Sequence, residues 1–141
     1  MSIQGNFPRL ALLAAWLAAP VTGYGSDWVQ MPFSSIEASA YFMDAGSLVR
    51  RGSFVRVWER LVFNTPRTNP ALGAFQSAQF YLSYDCRRQS AALLETRLYR
   101  DAASQDLITT HIRPRPRYLY AAPDTPAAMK LEEVCNRAKR R

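Results

Sequence analysis

From Ser26 onward, apolar and polar residues alternate in short runs separated by turn formers. In "SFVRVWERLVF", Val55, Val57, Leu61 and Phe63 fall on one side. Phe54, Trp58 and Val62 share the other side with Arg56 and Arg60. Alternation with period two, rich in β-branched and aromatic residues, is what a strand with one buried face requires. "AQFYLSYDC" repeats it, which predicts Ala78, Phe80, Leu82, Tyr84 and Cys86 on the core side. "AALLETRLYRD" predicts a neighbouring strand with Ala92, Leu94, Thr96 and Leu98 inward. Further strands are predicted at "DWVQM", ended by Pro32, at "ASAYFMD", ended by "AGS", and at "DLITTHI", after an "AASQ" turn. "NTPRTNPALGAFQS" holds two prolines, a glycine and several turn formers, and predicts a loop from Asn64 to Ser77. Pro114 and Pro116 cannot donate to a ladder, so "RPRPRYLYAAPD" reads as an edge or extended crossing. A short strand fits around Tyr118 to Ala121.

One stretch changes period. Leu131, Val134, Cys135 and Ala138 stand at i, i+3, i+4 and i+7, the apolar stripe of a helix. Thr125 is placed to cap it and Pro126 suits the first helical position. Glu132 and Glu133 diverge on such a helix and read as complements to its positive end, not as a catalytic pair. The pattern predicts an α+β domain: an antiparallel sheet of about five to seven strands with a carboxyl-terminal helix packed on it. A length of 141 residues, 48% of them hydrophobic, suits a single domain.

The amino end bears on the compartment. "MSIQGNFPRLALLAAWLAAPVTGYGSDW" has a polar start with Arg9, an apolar stretch from Leu10 to Ala19, then Pro20 and small residues. That is the layout of a secretory signal peptide. It predicts a signal over residues 1–23 and a single domain over 24–141, with cleavage after Ala19 or Gly25 as alternatives to Gly23. About ten apolar residues fall short of the roughly 20 needed to span a bilayer, so no transmembrane segment is expected in the mature chain, an uncleaved anchor being the alternative. The segment has no cysteine for lipid attachment. The expected location is the periplasm or the cell surface. Export in turn predicts that the two cysteines, Cys86 and Cys135, form one disulfide. A strand's core face and a helix's buried face can bring the two sulfurs together. Two separate buried thiols are the alternative, which a cytosolic location would favour.

Candidate chemistry is sparse. His111 is the only histidine, in a strand-like "TTHI", and no nucleophile, base and orienting group are evident together. No cluster of zinc-type ligands and no phosphate-binding glycine loop is visible. No catalytic residue, metal or cofactor is therefore expected. Charge is the remaining signal. The chain is formally +7, and loss of Arg9 with the signal leaves 17 basic against 11 acidic residues. The arginines cluster at 50–51, 56 and 60, 87–88 and 113–117, and a basic tail spans 137–141. Guanidinium groups make two-pronged contacts with carboxylates and phosphates, so such a surface suits a protein or acidic-polymer partner. A solvated basic face is the plainer alternative. Trp58, Tyr118 and Tyr120 lie near basic stretches and could stack bases, but export argues against a nucleic-acid partner. The sharpest candidate is a ridge of Arg56, Trp58 and Arg60, with Arg113, Arg115 and Arg117 as further partner-binding residues. The alternative for Trp58 is packing under a loop or against the helix.

Several motifs occur together in one order: Trp28, the "YxxD" of Tyr41 and Asp44, the "YDC" of Tyr84, Asp85 and Cys86, and an "APDT…LEEVC" helix with Pro123 and Cys135. From about Trp28 to Asn136 the chain resembles the surface-adhesin protein E-like family of Gram-negative envelope proteins. The resemblance implies a small antiparallel sheet with a carboxyl-terminal helix tied to it by the disulfide. The family's namesake is a lipid-anchored adhesin that binds host extracellular-matrix and serum proteins. Two features depart from that pattern: the lipid-attachment cysteine is missing, and Tyr118 stands where a late tryptophan is expected. The expected function is that of an exported, non-catalytic envelope or periplasmic protein that binds host matrix or other acidic or protein partners. The alternative is a structural or accessory periplasmic protein with no ligand of its own.

Overall fold

The structure is a computed structural model and describes residues 25–32 and 38–141. The segment read as an export signal, residues 1–23, lies outside the described residues. The strands are β1 (Trp28–Gln30), β2 (Ala38–Asp44), β3 (Val49–Arg51), β4 (Phe54–Asn69), β5 (Gly73–Asp85), β6 (Ser90–Tyr99), β7 (Leu107–Ile112) and β8 (Leu119–Tyr120). They form one sheet in the order β1-β2-β4-β5-β6-β7, with β3 added on β4 and β8 on β6. Every pairing is antiparallel. Among the described residues one α-helix, α1 (Pro126–Lys139), follows the strands.

The helix stripe packs as its periodicity predicts. Leu131, Val134, Cys135 and Ala138 are buried against Met43, Val55, Val57 and Tyr84 of the sheet. Thr125 caps α1: its hydroxyl oxygen accepts from the Ala128 N–H at 3.2 Å and donates to the Ala122 carbonyl at 2.6 Å. Glu132 and Glu133 differ from the expectation. The helix begins at Pro126, so both lie past its first turn, and Glu133 instead pairs with Arg137 one turn on at 2.6 Å.

The sheet has eight strands, slightly more than the five to seven predicted, and β3 is the clearest addition. The "AGS" ends β2, as predicted, and a further strand follows it. These three residues make one 3-10 turn (Ala45–Ser47), in which the Asp44 carboxylate accepts from the Gly46 N–H at 3.1 Å and the Ser47 hydroxyl donates to the Asp44 carbonyl at 2.9 Å. The chain then returns as β3 and turns into β4 through Gly52, whose φ of +61° an L side chain would strain.

The loop predicted over residues 64–77 is largely strand. β4 runs on to Asn69, and the Asn69 side chain accepts from the Ala71 and Leu72 N–H groups at 2.9 and 3.2 Å to close a tight turn into β5. Pro66 is accommodated because the β4–β5 ladder shifts between Val62 and Arg67, so no ladder bond is asked of it. A second shift corrects the inward set of β6. Between Tyr81 and Leu82 the register slips, placing Leu93 opposite Leu82 and Ala91 opposite Tyr84. Thr96 and Leu98 face the same side as Phe80 and Ala78, as predicted. Ala92 instead lies opposite Ser83 on the other face, and Leu94 is the residue the register skips. One extra residue inverts the parity of everything beyond it.

Cys86 and Cys135 are joined in a disulfide, with Cα atoms 5.9 Å apart and a sequence separation of 49. Cys86 follows the end of β5 in a turn held by its neighbour. Burial disfavours the charge on Asp85, but the N–H groups of Arg88 and Arg87, the Ser53 hydroxyl and the Arg88 charge outweigh it and hold the carboxyl below its ordinary range. A depressed carboxyl contributes stability above its unfolded value of about 3.9 and loses it as pH falls through the lower folded value. Thermal melts should therefore fall below about pH 4, and Asp85→Asn should be less stable at pH 7 yet show a flatter acid limb. Parallel acid limbs for both proteins would remove Asp85 from this role.

Candidate functional site: an arginine and aromatic face

Two polar arrangements stand out, one on each side of the sheet. On the helix side, Glu59 follows Val57 on the inward parity of β4 and is fully buried. Both of its oxygens are engaged. Tyr41 donates its hydroxyl to Oε2 and Tyr84 donates to Oε1. Lys130 of α1 places Nζ 3.0 Å from Oε2 and donates to the Tyr41 hydroxyl at 2.8 Å. Burial, reinforced by the adjacent Glu59, pushes both tyrosine hydroxyls far above their ordinary range, so they remain protonated donors. The cluster joins β2, β4, β5 and α1, and both carboxylate oxygens of Glu59 are satisfied within it. It is a clamp between helix and sheet. The sequence reading missed it, although a glutamate between Val57 and Leu61 on the core parity was the available signal.

The opposite face carries the residues that alternate with the core set. Trp58 lies flat on Tyr81, with ring centroids 5.0 Å apart and 22° between planes. The Arg97 guanidinium covers the Trp58 ring at 4.2 Å and is oriented by Glu95 at 2.7 Å. The Arg60 guanidinium sits between the rings of Trp28 and Phe42, 4.8 and 4.7 Å from their centroids. Its Nε is buried without a hydrogen-bond partner, and burial lowers its pKa. Arg56 is exposed on the same face. Beside it, Val49, Arg51, Phe54, Arg56 and Tyr81 wall a groove of about 470 Å³.

Arg56, Trp58 and Arg60 thus share one face of β4, and Trp58 packs neither under a loop nor on the helix but on Tyr81 and Arg97. Arg113, Arg115 and Arg117 are exposed in the segment between β7 and β8. Among the described residues no hydrogen bond or ring contact joins them to Arg56, Trp58 or Arg60. That segment nevertheless returns to the face. Tyr118 packs edge-on against Phe54 at 5.8 Å and donates its hydroxyl to Ser83 at 2.8 Å. The sequence reading did not connect Trp28, Phe42, Tyr81 or Arg97 with this face, because these meet Trp58 and Arg60 only through the register of neighbouring strands.

His111 is exposed on β7 opposite Thr96. No group of three or more potential metal ligands occurs among the described residues. No helix among them is long and apolar enough to cross a membrane.

The motif residues have definite structural work. Tyr41 and Tyr84 hold Glu59. Asp44 accepts from the Asp27 and Gly46 N–H groups at 2.8 and 3.1 Å, Asp85 holds the turn before β6, and Trp28 covers Arg60. In sequence, no curated protein matches the chain. In fold, it is similar to protein E of Haemophilus influenzae. One crystal structure of that protein is 17% identical over 86% of this chain and 93% of its own, with a TM-score of 0.58. A second crystal form is 16% identical over 86% and 96%, with a TM-score of 0.60. Protein E from a non-typeable strain is 16% identical over 84% and 81%, with a TM-score of 0.58. The family profile described as Surface-adhesin protein E matches residues 28–136, and the chain belongs to that family.

Proposed function

We propose that the protein is an exported, non-catalytic, adhesin-like envelope protein that holds a protein or acidic partner against the arginine and aromatic face. One observation carries this reading: Trp58, stacked on Tyr81 and covered by Arg97, stands on the sheet face away from α1, with exposed Arg56 beside it. Tryptophan, tyrosine and arginine are the residues that most often anchor protein interfaces. Membership of the surface-adhesin protein E family supports the adhesin-like role. The net positive charge supports an acidic partner.

Trp58→Leu tests the face. Retention of envelope or matrix proteins at physiological ionic strength should fall at least tenfold, while the melting midpoint moves by less than about 8 °C, a cost near 1 kcal/mol. A larger fall in the midpoint with binding intact would make Trp58 a packing residue. If the unaltered protein retains no salt-sensitive partner, the chain is instead an accessory component without a ligand.

A further inference from the structure

We infer that the groove beside the β3–β4 hairpin is a subsite for the acidic groups of a polysaccharide, a uronate or sulfate carried on a sugar ring. The inference rests on the reading of this face as a recognition surface and names the chemistry it takes. In the ladder Val49 is opposite Arg56 and Arg51 opposite Phe54, so all four side chains rise on the same side of the hairpin. Tyr81 completes the wall from β5.

Some of the chain's arginines are neutralised by neighbouring carboxylates. Arg97 is paired with Glu95, Arg100 with Asp106 and Arg137 with Glu133. Arg51 and Arg56 have neither an ion pair nor a side-chain hydrogen bond among the described residues, and both are exposed. Two unneutralised guanidinium groups therefore line one groove whose remaining walls are Val49, Phe54 and Tyr81. An anionic oxygen cluster offers each guanidinium a two-pronged partner. The flat apolar C–H face of a pyranose ring stacks on exposed aromatic rings, and Phe54 is 40% exposed.

An acidic peptide fits this place less well. The backbone groups of β4 are spent on β3 and β5, so a peptide lying over the face finds no main-chain partner there. Strand addition needs a sheet edge, and the edge beside the groove, β3, offers only three residues. A sugar polymer needs only ring stacking and charge pairing, with its hydroxyls left in water. A chain following β4 away from the groove would pass Trp58 and reach Arg60, about 13 Å beyond Arg56.

The test titrates the purified protein with a heparin-derived oligosaccharide, with polygalacturonate and with poly-glutamate, following tryptophan fluorescence at two salt concentrations. Binding of either polysaccharide, weakened at least tenfold in Arg51→Gln/Arg56→Gln and less than twofold in Arg140→Gln/Arg141→Gln, supports the subsite. The tighter of the two names the acidic group. Equal losses in both double variants would reduce the effect to diffuse charge and overturn the proposal. Poly-glutamate binding as tightly, with the same dependence on Arg51 and Arg56, would assign the groove to acidic peptide instead. A protein partner retained by the unaltered protein, with no polysaccharide bound, would overturn the subsite and leave the recognition face standing.

Discussion

Removal of the disulfide by Cys86→Ala/Cys135→Ala should cost about 4 kcal/mol, the loop-closure value for a link spanning 49 residues. Domains of this size hold only about 5–15 kcal/mol of net stability, so the melting midpoint should fall by more than roughly 15 °C. The bond carries this load because of what it joins. α1 supplies Leu131, Val134 and Ala138 to the core, and without the link their packing and the Lys130 contacts are left to hold the helix on the sheet. Melting curves with and without reductant, alongside the double variant, measure the effect. A reduced protein that melts within about 3 °C of the oxidised one would show that packing alone retains the helix.

The second large effect is expected at Glu59. Glu59→Ala would leave two buried tyrosine hydroxyls and the Lys130 ammonium without their acceptor, at a cost of about 3–5 kcal/mol. Lys130→Met would strand the Glu59 charge at a site with no exposed surface and should be similarly damaging. Because each single change abandons the other partner, Glu59→Gln/Lys130→Met should cost clearly less than the sum of the two single changes. Denaturant unfolding of the set resolves this. Additive losses would mean that Lys130 and Glu59 act independently and that the helix is not clamped through them.

How far the sequence revealed these features depended on how local each one was. The parity of Val55, Val57 and Leu61 and the stripe from Leu131 to Ala138 are properties of single segments, and both elements formed with the faces assigned. The shift at Tyr81/Leu82 is not such a property. It depends on how β6 is aligned on β5, and it moved Ala92 to the far face. Turn composition misled at residues 64–77, where Asn69 and Gly73 confine the reversal to a few residues and the flanking chain stays paired. The candidate face was visible only where it lies on one strand. Arg56, Trp58 and Arg60 share a parity, whereas Tyr81 and Arg97 reach Trp58 from β5 and β6. Glu59 was visible as an oddity of pattern, but its counter-charge stands 71 positions later, on an element that meets it only after docking.

The bond between Cys86 and Cys135 joins the far end of β5 to a helix that follows all eight strands. A chain threaded amino end first into an oxidising space would deliver the whole β-layer before the second sulfur arrived. In such a chain oxidation would seal a formed sheet instead of seeding it, and a misregistered sheet would present two thiols that fail to meet and stay open to repair.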